Sequence, residues 1–234
     1  MKNVGVSLQE HHIAALLESF VTAGRVKDAL TVLGIFAPDA TDFTPELTHS
    51  IFKAISRNVD TVDEAYEHLE QTKRDGGKVP IVAFNAVLSA AVALQDMQRA
   101  IGIYKAAGDM GLKPNVDSLN VLLSGCIVLA HRTLGDKLLL EARDFGIKPD
   151  AGTYERLIVL CLTQPTYEDA FFYLEEMKAA GFKPTYKVYD SLIRRTAKAL
   201  DKRWELAMEE MMQMEYGFSD DLKAYIASIK KGWS

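Results

Sequence analysis

Three nearly identical turns, GLKPN at Gly111–Asn115, GIKPD at Gly146–Asp150 and GFKPT at Gly181–Thr185, begin 35 residues apart. A turn that returns at a fixed interval restricts the chain to architectures built from one repeated unit. A unit of that size cannot bury its apolar face alone, so its packing residues must repeat with its turns. They do. The turn glycine also occurs at Gly76, and a small residue recurs at Ala65, Ala100, Gly135 and Ala170. A ring or leucine recurs at His49, Phe84, Leu119, Tyr154 and Tyr189, followed three residues on by Phe52, Val87, Leu122, Leu157 and Leu192. Cys126 and Cys161 keep the same interval, which assigns them to one interior slot in successive units rather than to redox chemistry.

Within a unit the apolar spacing is helical: Phe84, Val87, Leu88 and Ala91 follow the i, i+3, i+4, i+7 rule of one buried stripe. A polar break and a second amphipathic helix follow. In residues 151–185 the break is Thr163–Tyr167, with Pro165, and the second helix carries Ala170, Phe171, Leu174 and Met177. The small-residue column predicts a close crossing of the two helices, which Leu there would overpack. The glycine ends the second helix in the left-handed conformation, and the proline two or three residues later forbids its continuation.

Scanning outward gives units at 10–45, 46–80, 81–115, 116–150, 151–185 and 186–221. The first has a longer linker, Ala37–Pro45, without the glycine. Residues 222–231 read as a capping helix with Leu222, Tyr225, Ile226 and Ile229 on its apolar side. The chain of 234 residues, 48% apolar, is long enough for a substantial core. No apolar run reaches the roughly 18 residues that a membrane-crossing helix requires, and the opening MKNVGVSLQE lacks the order of a secretory signal.

The segment Val82–Asn115, VAFNAVLSAAVALQDMQRAIGIYKAAGDMGLKPN, resembles a pentatricopeptide repeat in its aromatic-Asn start, its Ala in the second helix and its G-x-K-P-N/D ending. The resemblance covers roughly residues 10–221. The tetratricopeptide repeat has a period of about 34 and a Trp, Leu-Gly and Tyr pattern that this chain lacks. The resemblance implies an all-α, right-handed α-solenoid of about six helix-turn-helix repeats, forming one domain over 10–234. It also implies a concave groove for single-stranded RNA and a place in the mitochondrion, or alternatively the chloroplast. No transit segment is visible in this chain.

Such repeats read one base per unit through two or three side chains. Carried over, the resemblance assigns Asn85 and Asn115, with Val82 against the base, to the unit 81–115. It assigns Asn120 and Asp150, with Asp117, to the unit 116–150. The first pair resembles a pyrimidine reader and the second a uracil reader. An amide offers a base edge both a donor and an acceptor, and a carboxylate accepts from an imino group. Ser50 with Pro80, Glu155 with Thr185, and Asp190 with Asp220 match no familiar pair. Two legible units at about 1–3 kcal/mol each do not define a unique site in a transcriptome.

Charge opposes broad phosphate binding. The net charge is −5, and residues 10–80 hold seven Lys or Arg against twelve Asp or Glu. The exception is Lys187, Arg194, Arg195, Lys198, Lys202 and Arg203, a candidate phosphate-contact patch with Arg194, Arg195, Lys198 and Lys202 at its centre. The five histidines have no metal-ligand spacing, and His49 is assigned to packing. No Gly-rich phosphate loop occurs, and the carboxylates of Asp63–Glu70 have surface spacing that pairs with Lys73 and Arg74. The expectation is a non-catalytic protein without cofactor or metal that binds RNA. The alternative is a protein-binding scaffold in a large assembly such as a mitochondrial ribosome.

Overall fold

The computed structural model describes residues 10–36 and 45–232. Among them are thirteen α-helices and no strand, in two compact units, Met1–Val128 and Leu129–Ser234. The first unit holds α1 (Glu10–Thr22), α2 (Val26–Phe36), α3 (His49–Ile55), α4 (Val59–Arg74), α5 (Ile81–Ala93), α6 (Met97–Lys105) and α7 (Val116–Val128). The second holds α8 (Arg132–Asp144), α9 (Ala151–Leu162), α10 (Glu168–Ala179), α11 (Tyr186–Lys198), α12 (Arg203–Gln213) and α13 (Asp220–Gly232). The boundary falls inside the expected repeat 116–150. The expected linker 37–45 lies outside the described residues except for Pro45.

Each unit is a stack of helical hairpins, the packing of an α-solenoid. In the first, α1, α3, α5 and α7 form a row of successive neighbours, with α2 against α4. In the second, α9, α11 and α13 form the row, while α10 packs on α9 and α12 on α11. A helix with neighbours on several sides has to be apolar around its circumference, and α5 is: Ala83, Phe84, Ala86, Val87, Leu88, Ala90 and Ala91 are all buried. Burying Phe84, Val87 and Leu88 contributes about 1.5–3 kcal/mol each.

The small-residue column sits where it was expected, with Ala65, Ala100, Gly135 and Ala170 buried. The repeated turn works through backbone geometry. Gly76, Gly111, Gly146 and Gly181 have φ of 79°, 71°, 73° and 84°. The N–H after each glycine donates five residues back in the Schellman pattern: Gly77 to Thr72 at 2.8 Å, Leu112 to Ala107 at 2.9 Å, Ile147 to Ala142 at 2.8 Å and Phe182 to Met177 at 3.0 Å. Three first helices end in the same conformation without glycine, at Gln95 (φ 60°), Ala130 (φ 50°) and Leu200 (φ 58°). The next position at that interval is Pro165, whose ring forbids positive φ, and there the connection runs from Thr163 to Tyr167.

The repeat 46–80 departs from expectation. His49 is exposed rather than packed, and Phe52 is only half-buried. A 3-10 turn at Pro45–Thr48 precedes α3, so the buried face becomes Leu47, Ile51, Ala54 and Ile55, one residue out of the column register. The capping helix begins at Asp220, two residues early, because the Ser219 hydroxyl accepts from the Leu222 N–H at 3.1 Å and starts it there. Leu222 is buried, and Tyr225, Ile226 and Ile229 are partly covered. Both thiols are fully buried, and loss of hydration pushes each up to about 11. The Cys161 sulfur accepts from Arg132 Nη1 at 2.7 Å.

Candidate nucleic-acid interface

In the first unit the structure brings Asn85 and Asn115 together. Asn85 stands on the second turn of α5, three residues after half-buried Val82, and its Nδ2 donates to Asn115 Oδ1 at 3.1 Å. The last residue of one repeat is therefore also the N-cap of the next. Asn115 Oδ1 accepts from the Ser118 N–H at 3.1 Å, and the Asn115 N–H donates to Ser118 Oγ at 3.2 Å, a reciprocal cap on α7. The Ser118 hydroxyl, fully buried, donates to Asn85 Oδ1 at 2.6 Å.

This arrangement fixes which atoms stay available. The Ser118 N–H can only donate, so it sets Asn115 Oδ1 inward, and that oxygen in turn requires a donor from Asn85. Asn85 keeps one N–H and one oxygen lone pair for a ligand. Asn115 keeps one amide N–H, its other reaching Asp117 at 3.3 Å. Such a donor–acceptor pair matches the Watson–Crick edge of either pyrimidine. Asn120, on the second turn of α7, is 7% exposed, so its amide offers a ligand far less surface than the half-buried Asn85.

In the second unit Asp150 is the N-cap of α9. Its Oδ1 accepts from the Thr153 N–H at 2.7 Å, and its own N–H donates to Thr153 Oγ1 at 3.2 Å. Ser118 and Thr153 share one register position. The pattern reading missed both, although N-x-x-S and D-x-x-T are legible as cap signatures. The other repeats lack the device: Pro80 and Thr185 precede α5 and α11 with no side-chain cap bond, and the register position holds Ala83 and Val188.

The basic patch divides by residue type. Arg194 is held by Asp190 at 2.9 Å and by Asp221, and its guanidinium lies 5.0 Å from the Tyr225 ring. Arg195 donates to the Leu162 carbonyl at 3.0 Å and the Gln164 carbonyl at 2.9 Å, closing the C-terminus of α9, and stacks 4.4 Å over Tyr167. Arg203 pairs with Glu168 at 2.6 Å and with Asp201, and the Glu168 bond foremost holds it firmly protonated. The arginines thus join neighbouring elements. Lys187, Lys198 and Lys202 remain exposed with no ion pair among the described residues. Lys187, Arg194 and Lys198 lie along one stripe of α11, at the register where α5 carries Val82 and Ser89.

Residues 1–107 match the family model described as pentatricopeptide repeat-containing protein, and residues 137–199 match the pentatricopeptide repeat domain. Together these span well over half of the chain. Among solved structures, the pentatricopeptide repeat protein PPR10 in complex with an 18-nt psaJ RNA element aligns with a TM-score of 0.60 at 21% identity over 93% of this chain. The structure of the pentatricopeptide repeat protein PPR10 from maize gives 0.52 at 18% over 99%. The chain spans only 32% and 35% of those proteins. The repeat domain of Arabidopsis thaliana protein-only RNase P 1 in complex with tRNA gives 0.61 at 14%, covering 80% of this chain and 100% of that one. At these identities the likeness is one of fold. No curated protein matches the sequence.

Proposed function

Because the chain belongs to the pentatricopeptide-repeat family, we propose that it binds single-stranded RNA, with a pyrimidine preference centred on Asn85 and Asn115. The observation that carries this reading is the 3.1 Å contact between two amides from the start and the end of one repeat, oriented so that a donor and an acceptor remain for a base edge. The role is that of an organellar factor in RNA processing, stability or translation, in the mitochondrion or alternatively the chloroplast, without catalysis of its own. Phosphate contact falls to Lys187, Lys198 and Lys202. Titrating a pool of random single-stranded RNA at low and moderate salt tests it. Enrichment of a pyrimidine that disappears with Asn85→Ala is expected, and no salt-dependent binding at all would overturn it.

A second reading, a protein-binding scaffold, is favoured by the outer face of α10 and α12. Glu168–Arg203 at 2.6 Å and Lys178–Glu210 at 2.6 Å tie these helices at two levels. Phe172 and Leu206 project from the same helices at 58% and 59% exposure, on faces that also carry Glu175, Glu205 and Glu209. Apolar side chains among carboxylates suit a basic amphipathic segment. On that reading Phe172→Glu with Leu206→Glu abolishes protein co-purification and leaves RNA binding intact. Unchanged co-purification would remove it.

A further inference from the structure

Among the described residues, a fully buried hydroxyl three residues after the end of a repeat occurs only where that end is Asn or Asp; Thr48, three after Pro45, is only half-buried. Ser118 follows Asn115 and Thr153 follows Asp150, both hydroxyl residues fully buried, whereas Ala83 follows Pro80 and Val188 follows Thr185. A buried hydroxyl carries a desolvation cost unless it is bonded, and here it bonds the cap side chain. Ser118 does more than cap. Its Oγ lies 2.6 Å from Asn85 Oδ1, in the preceding repeat, and so reaches both candidate base-reading amides.

We infer that Ser118 is a specificity-positioning residue, whose hydroxyl locks the Asn85 amide with its N–H toward Asn115 and so sets the donor–acceptor order shown to the base. A half-turn of the Asn85 amide would set its oxygen against Asn115 Oδ1, which the Ser118 N–H holds in place, and the two oxygens would repel. The Ser118 hydroxyl, which can donate or accept, adds the bond that anchors the Asn85 oxygen in the remaining orientation. Without it the oxygen of Asn85 loses its anchor, and the amide can swing out of the pair. The inference rests on the RNA reading above.

The test is selection from a random single-stranded RNA pool with the wild-type chain, Ser118→Ala, Ser118→Thr and Asn85→Ala, each checked for its melting temperature. The wild type enriches a pyrimidine at one position. Ser118→Ala lowers that preference by roughly threefold to tenfold, one hydrogen bond's worth, and leaves total binding and any other enriched position in place. Ser118→Thr restores it, since Thr153 shows that the register accommodates threonine. An unchanged preference in Ser118→Ala overturns the inference while sparing the RNA reading. A uniform loss at every position, with or without a lowered melting temperature, reduces Ser118 to a structural cap and also overturns it. No preference in the wild type overturns the RNA reading itself, and the inference with it.

Discussion

Leu200, at φ 58° and 67% exposed, holds a left-handed conformation that costs a branched side chain about 1–2 kcal/mol and gains little burial in return. Leu200→Gly should therefore raise stability by about 0.5–1 kcal/mol, read as a higher urea midpoint, because the Asp201-to-Thr196 bond at 3.0 Å survives. A lower midpoint would show that the leucine packs in a way its exposure conceals. His68 gives the second residue-scale prediction. Burial, then Lys27, depresses its pKa, while its Nε2 sits 3.0 Å from Thr31 Oγ1. The unfolded chain binds the proton more readily, so this group costs nothing above the unfolded pKa of about 6.5 and destabilises the fold as pH falls from there toward the depressed folded value. Melting temperatures measured between neutral pH and about pH 5 should fall more steeply for the wild type than for His68→Gln. Parallel slopes would mean that other groups govern that range.

At the scale of elements, the crossings of first and second helices are set by side chains too small to hold them apart. Ala100→Leu or Ala170→Leu should cost about 1–3 kcal/mol by denaturant titration, and neutrality of both would refute the crossing. Gly125 on α7 is a tighter case, since a Cβ there would run into the Met97 thioether and Val92. Gly125→Ala should be destabilising by about 1–2 kcal/mol, and Gly125→Ala with Met97→Ala should recover the clash portion while opening a void. The periodic columns made these helices legible because identical packing demands identical residues. The repeat 46–80 was misread at His49 for a physical reason: the turn at Pro45 rotates α3 by one residue, and a column counted at fixed spacing cannot register that. The resemblance named Asn85, Asn115 and Asp150 as candidates, and the structure adds that the first two touch and that Asp150 caps α9. Ser118 escaped because no periodic column runs through its position, which holds Ala83 and Val188 in other repeats, so nothing marked its hydroxyl before its bonds were seen.

For the molecule as a whole, a net charge of −5 makes phosphate attraction local rather than general. Replacing Lys187, Lys198 and Lys202 together by alanine should flatten the slope of log affinity against log salt by about 2, whereas Arg195→Ala should instead lower the melting temperature through the exposed end of α9. An unchanged slope would relocate the phosphate contacts. How these lysines differ from the arginines beside them was hidden in the sequence, where all six cations look alike until their carboxylate and carbonyl partners are in place. The two cysteines have a practical consequence. Each compact unit owns one sulfhydryl, sealed from water and too weakly acidic to react at neutral pH, so a chromogenic disulfide reagent can modify it only after that unit opens. Single-cysteine variants would then clock the breathing of the two halves independently, without any label having to be engineered in.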